Sequence, residues 1–131
     1  MFKPQLVAVY GSLLKGLSNH RVLADSVLLG NDTVHGFIMY DLGAFPAILK
    51  GEGVIDAEIY EVVNSQIMQG LDHLEGHPNF YKRELAKTSY GDAWIYVLNI
   101  EYRRPLDDKT IVENGSWREY KLQKEKQWRE V

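Results

Sequence analysis

Between Asn64 and Glu75 the apolar residues change their spacing, and that change constrains the fold more than any other feature of the chain. Ile67, Met68, Leu71 and Leu74 recur at helical intervals, Asn64 is a good N-cap, and Gly76 followed by Pro78 is a stop signal. On both sides the pattern is that of strands. Gln5 to Tyr10 is a short apolar run ended by Gly11, as expected of a buried strand followed by a turn. A helical turn is expected around Asn19 to Leu23, with Ser18 as its N-cap. Val27 to Leu29 and Thr33 to Leu42 read as strands separated by the hairpin-type turn Gly30-Asn31-Asp32.

Phe45-Pro46-Ala47-Ile48 interrupts this pattern, because Pro46 has no N–H to give to a central ladder and suits an edge or a loop. Gly51 and Gly53 then bracket a further turn. From Val54 to Val63, Ile55, Ala57 and Ile59 alternate with Asp56, Glu58 and Tyr60, which predicts a strand with one buried and one partly wet face. Tyr81 to Thr88 and Ala93 to Glu101 are two more strands, joined by a Ser89-Tyr90-Gly91-Asp92 turn. The charged tail from Ser116 to Val131, carrying Tyr120, Trp128 and Val131, predicts a packed or frayed helix. Strands that neither alternate regularly with helices nor repeat predict a mixed α+β domain with a largely antiparallel sheet, closed into a barrel.

The 131 residues fit one domain spanning the chain, and a protein of this size can be a monomer. Fifteen Lys and Arg against 18 Asp and Glu give a net charge of -3, so no basic field exists to hold nucleic acid. Without cysteine, the chain has no disulfide framework, thiolate nucleophile or Cys-type zinc site. No segment approaches the roughly 20 apolar residues that cross a bilayer. The expectation is a soluble cytoplasmic protein without a membrane partner.

Glu75 is the residue that the helix singles out. At about 100° per residue, with Ile67 at zero, Leu71 lies near about 40°, Met68 about 100°, Leu74 about 340° and Glu75 about 80°, inside the apolar sector. A carboxylate on that face must be paired, protonated or functional. Desolvation and the negative end of the helix dipole would both raise its pKa, making it a better proton acceptor near neutral pH. The competing reading ends the helix early, so that Glu75 reaches solvent or pairs with Arg83 or Lys82.

Tyr10-Gly11-Ser12-Leu13 is the second candidate. A glycine after a buried strand lets ligand atoms approach the backbone, and successive N–H groups can point at a carboxylate or an oxyanion. Gly11 and Gly16 have the separation of a phosphate-binding loop, but Leu17-Ser18 stands where Lys-Ser/Thr is required. Neither Ser12 nor Ser18 sits centrally in Gly-x-Ser-x-Gly, which disfavours a serine hydrolase. Of His20, His35, His73 and His77, only His73-x-x-x-His77 has metal-ligand spacing, and Gly76 breaks the helix that this pair needs, so no metal site is expected. Tyr81, Tyr96 and Tyr102 suit core packing with a satisfied hydroxyl, or a binding wall.

Val7-Ala8-Val9-Tyr10-Gly11-Ser12-Leu13, Phe45-Pro46-Ala47, Leu71-Asp72-His73-Leu74-Glu75-Gly76 with Tyr81 shortly after, and Ala93-Trp94-Ile95-Tyr96-Val97 together resemble the γ-glutamylcyclotransferase-like superfamily, including its YtfP-like and AIG2-like members. A Gly115-Ser116-Trp117 segment extends the resemblance toward the C-terminus. It implies a small mixed barrel whose cavity receives the loop and the helix-end glutamate. It also implies a reaction in which the α-amine of a γ-glutamyl compound attacks its own γ-carbonyl, giving 5-oxoproline and a free amine or amino acid. On this resemblance Tyr10, Gly11, Ser12 and Leu13 hold the glutamyl moiety, Glu75 is the general base, Tyr81 is a pocket wall or donor, and no cofactor is required. Asp56-Ala57-Glu58 departs from it, since many relatives have glycine before the corresponding glutamate. Two rival readings are a non-catalytic member that senses a γ-glutamyl-like ligand and an interaction protein that uses the charged tail.

Overall fold

The computed structural model describes residues 2–100 and 110–130; Glu101, Tyr102, Val131 and the side chain of Trp128 lie outside the described residues. Six strands form one sheet: β1 (Gln5–Val9), β2 (Val27–Asp41), β3 (Pro46–Val62), β4 (Tyr81–Thr88), β5 (Gly91–Leu98) and β6 (Thr110–Ile111), in the order β4-β5-β1-β3-β2-β6. Among the described strand pairs only β1–β5 is parallel. Helix α1 (Ser65–Glu75) links β3 to β4, and α2 (Trp117–Glu130) follows β6.

From Leu6 onward β1 is apolar, since it is covered on both faces. Val7 and Val9 pack into a core that includes Met68 and Leu71 of α1, while Ala8 and Tyr10 enter a second core that includes Trp117 at the start of α2. The sheet curls into a half-barrel, consistent with the expected α+β class. Asp32 on β2 accepts from the backbone N–H (2.7 Å) and hydroxyl (2.8 Å) of Ser89 in the β4–β5 turn, although β2 and β5 are not ladder neighbours. These bonds hold the Asp32 carboxyl below the usual carboxylate range.

The structure corrects several sequence expectations. Gly30-Asn31-Asp32 is no hairpin turn: β2 runs through it, with a register shift between Leu28 and Gly30. Gly51 and Gly53 likewise lie within β3, where residues 51–53 bulge opposite Gly36 between the pairs His35–Val54 and Phe37–Lys50. Glycines concentrate in bulges for the same reason as in turns, so composition alone does not separate the two. The β2–β3 turn is Leu42 to Phe45, closed by Leu42 N–H to the Phe45 carbonyl (3.0 Å), and Pro46 opens β3, a position where its missing N–H costs little. Ser18 does not cap the 3-10 turn His20–Leu23; Asn19 occupies that position without a side-chain cap bond. The face of β3 expected to be partly wet also buries Glu58 and Tyr60.

At α1 the expectations hold. Asn64 Oδ1 accepts from Ile67 N–H at 2.8 Å, and Gly76 closes the helix in the left-handed region (φ 65°, ψ 36°), its N–H reaching the Asp72 and His73 carbonyls. Asn64→Ala should lower stability by about 1 kcal/mol, read as a reduced urea midpoint at an unchanged m-value.

Candidate active site

Four segments converge at the C-terminal end of β1. They are the loop following it, the last turn of α1, the β2–β3 turn and the start of β4. Together they enclose a cavity of about 400 Å³ with a floor of Ala8, Val9, Tyr10 and Tyr96. Tyr10, Gly11, Ser12, Leu13, Glu75 and Tyr81 all line it, so the residues to which the resemblance assigned roles face one space.

Glu75 reaches the cavity because Leu71 and Met68 flank its direction on the helix and both are buried against the sheet. Leu74, expected in the apolar sector, is instead 40% exposed at the rim. Burial pushes the Glu75 carboxyl up to about 7. Among the described residues no basic side chain pairs with it. Arg83, the alternative partner, lies 3.0 Å from Asp72 and stacks over Trp94 at 4.7 Å. Asp72 also accepts from Tyr96 hydroxyl at 2.7 Å, and with burial this keeps the phenol far above its ordinary pKa. The helix end thus separates two carboxylates three residues apart. Asp72 is paired by Arg83 and Tyr96 outside the cavity lining, and Glu75 lines the cavity without a basic partner among the described residues.

The loop after β1 turns tightly. The carbonyls of Gly11, Ser12 and Leu13 accept from Leu14 N–H (3.0 Å), Asn19 N–H (2.9 Å) and the His20 ring (3.0 Å). The Ser12 and Leu13 amides have no protein acceptor among the described residues, as an anion-binding nest requires. Gly11 serves a purpose other than the expected one. A Cβ there would stand 2.9 Å from Pro46 Cγ, so the missing side chain admits Pro46 and not a ligand. Ser12 Oγ accepts from Asn19 Nδ2 at 2.8 Å, and with a donor as its neighbour it has no base to activate it as a nucleophile.

The two tyrosines fix the walls. Tyr10 hydroxyl donates to the Tyr96 carbonyl and Tyr81 hydroxyl to the Pro46 carbonyl, both at 2.6 Å. His73 and His77 share no helix face, since α1 ends at Gly76, and His77 Nδ1 accepts from Arg83 N–H at 3.2 Å.

Residues that the sequence did not single out hold the loop from outside. Buried Glu58 accepts from Lys15 N–H (2.8 Å) and Tyr60 hydroxyl (3.0 Å), and Arg118 of α2 lies 3.3 Å from it while donating to the Lys15 carbonyl. Tyr120 and Lys124 of α2 meet Asp41 at 2.6 and 2.8 Å. Glu58 occupied a polar position in the β3 alternation, and nothing local marked it as buried. The sequence signal for it was the resemblance, whose members carry a glutamate at the position of Glu58.

The family model described as γ-glutamyl cyclotransferase, AIG2-like, matches residues 7–119. The γ-glutamylcyclotransferase family protein YtfP of Escherichia coli K12 is 34% identical over 111 residues, covering 85% of this chain and 94% of the relative. The solution structure of E. coli ytfP superposes with a TM-score of 0.70 at 31% identity, covering 89% of this chain and 99% of that one. An uncharacterized protein of Pyrococcus horikoshii gives a TM-score of 0.78 at 26% identity, covering 92% and 96%. Among the described residues no helix is long and apolar enough to cross a membrane. Sequence and fold agree from the first strand to the second helix, and this chain belongs to the AIG2-like γ-glutamylcyclotransferase family.

Proposed function

We propose that this protein is a cytoplasmic γ-glutamyl cyclotransferase that needs no cofactor, because its substrate carries its own nucleophile. The observation that carries this reading is the unpaired Glu75 carboxyl, raised to about 7, sharing a cavity with the free Ser12 and Leu13 amides. An α-ammonium must lose a proton before it attacks, and a carboxylate with a near-neutral pKa accepts that proton efficiently at physiological pH.

In the reaction the loop Tyr10-Gly11-Ser12-Leu13 holds the glutamyl moiety folded. Glu75 takes a proton from the α-amine, and the nitrogen bonds to the γ-carbonyl carbon. Ser12 and Leu13 N–H groups donate to the oxyanion that forms. As the tetrahedral intermediate collapses, Glu75 gives this proton to the leaving nitrogen and the original amide C–N bond breaks; the freed carboxylate then takes the extra proton of the ring nitrogen and passes it to the released amine. The products are 5-oxoproline and a free amine. Fixing one folded conformer supplies much of the rate, since ring closure needs the amine aligned with the carbonyl. Tyr81, anchored on Pro46, is a wall of the site.

Glu75→Gln should lower the rate of 5-oxoproline formation by roughly a hundredfold or more while the protein stays folded. Undiminished product would overturn the assignment. Ligand-induced thermal stabilisation without product in the wild type would favour a sensing role instead. The wild-type kcat/KM should rise with pH through about 7, where Glu75 loses its proton, and Glu75→Gln should lose that acid limb.

The same raised pKa costs stability. The folded form binds this proton more tightly than the unfolded chain, so the stability it favours is full below about 4.5 and is lost as pH rises to about 7. Relative to wild type, Glu75→Gln should therefore gain stability across that interval, by at most about 3 kcal/mol, in urea denaturation on either side of it.

A further inference from the structure

The cavity is divided by polarity. One set of lining groups suits a glutamyl moiety, namely the Ser12 and Leu13 amides, Ser18, Asn19 and Glu75. The other is aromatic. Phe45 from the β2–β3 turn meets Phe80 edge to face with centroids 5.6 Å apart, and Phe80 lies 4.7 Å from the ring of Tyr81. The Tyr81 hydroxyl on the Pro46 carbonyl ties this row of rings to the same turn that carries Phe45. Phe45 and Phe80 are half-buried, the lining residues Ala44 and Leu74 are exposed, and Tyr81 and the floor at Ala8, Val9, Tyr10 and Tyr96 are buried. The aromatic row thus runs from the cavity wall out to its mouth.

Resting on the cyclotransferase reading, we propose that Phe45, Phe80 and Tyr81 form the subsite for the leaving amine, and that it selects γ-glutamyl amides of apolar, preferably aromatic, amines without a carboxylate. With the glutamyl end held at the loop and Glu75, the group beyond the γ-carbonyl is directed along the aromatic row. A phenyl or alkyl substituent there gains edge and face contacts with Phe45 and Phe80. A carboxylate there would lose water against rings. Among the described lining residues no lysine or arginine is present, and His73 is exposed. Burying such a charge unpaired, in the same cavity as the Glu75 carboxylate, is unfavourable.

The test uses γ-glutamyl-phenethylamide and γ-glutamyl-phenylalanine, which differ only in the leaving group's carboxylate, and γ-glutamyl-methylamide, which lacks the ring. The wild type should favour the phenethylamide over each of the others by roughly tenfold or more in kcat/KM. Phe80→Ala and Phe45→Ala, on separate elements so that one serves if the other misfolds, should each lower the phenethylamide-to-methylamide ratio by roughly tenfold. A wild type that prefers γ-glutamyl-phenylalanine, or variants that leave the ratio unchanged, would overturn the subsite. If none of the three compounds gives 5-oxoproline, the cyclisation reading fails, and calorimetric affinities of the same compounds decide the subsite alone. Tighter binding of the phenethylamide would support it, and equal or weaker binding would overturn it.

Discussion

Packing of Met68 and Leu71 against the sheet aims the carboxyl of Glu75, and the rest of the site follows from that direction. The three residues lie within about 60° of one another around the helix, so burying two of them turns the third, half-buried, into the cavity. The left-handed turn at Gly76 then ends α1 before the chain can carry Glu75 away from the cavity. No counter-ion accompanies it among the described residues, because Arg83 is held by Asp72 and Trp94. An isolated carboxyl in such surroundings is more stable protonated, which gives a general base its working range near neutrality.

The loop facing it is held by a different kind of interaction. Its carbonyls are tied internally, its glycine is packed on Pro46, and its downstream end at Lys15 is held on both polar groups, by Glu58 and by Arg118. The C-terminal helix therefore takes part in shaping a site that it does not line, through Arg118, while Tyr120 and Lys124 secure it at Asp41. Buried Glu58 joins β3, the loop and α2 at one point, and with three donors around it the charge is compensated.

What was legible in the sequence depended on whether the signal was local. The period of α1, its Asn64 cap and its Gly76 stop are properties of adjacent residues, and they placed Glu75 on the buried face. The run Val7-Ala8-Val9-Tyr10 could be read as buried because both its faces are covered. Gly30, Gly51 and Gly53 misled because a bulge and a turn make the same demand on the backbone, and only the partner strand tells them apart. Glu58 and Arg118 are 60 residues apart and meet only in the folded chain, as do Asp32 and Ser89, so no window of sequence could pair them. The aromatic row of Phe45, Phe80 and Tyr81 likewise exists only once the β2–β3 turn packs against the start of β4.

The central claim is that Glu75 is an unpaired, buried carboxyl poised to exchange a proton near neutral pH. It is tested most directly by following the side-chain carboxyl carbon of Glu75 by NMR as a function of pH in the ligand-free protein, with Glu75→Gln used to assign the resonance. A titration midpoint near about 7 is the predicted result. A midpoint near the ordinary value of 4.5 would mean that the carboxylate is solvated or paired, and would contradict the account.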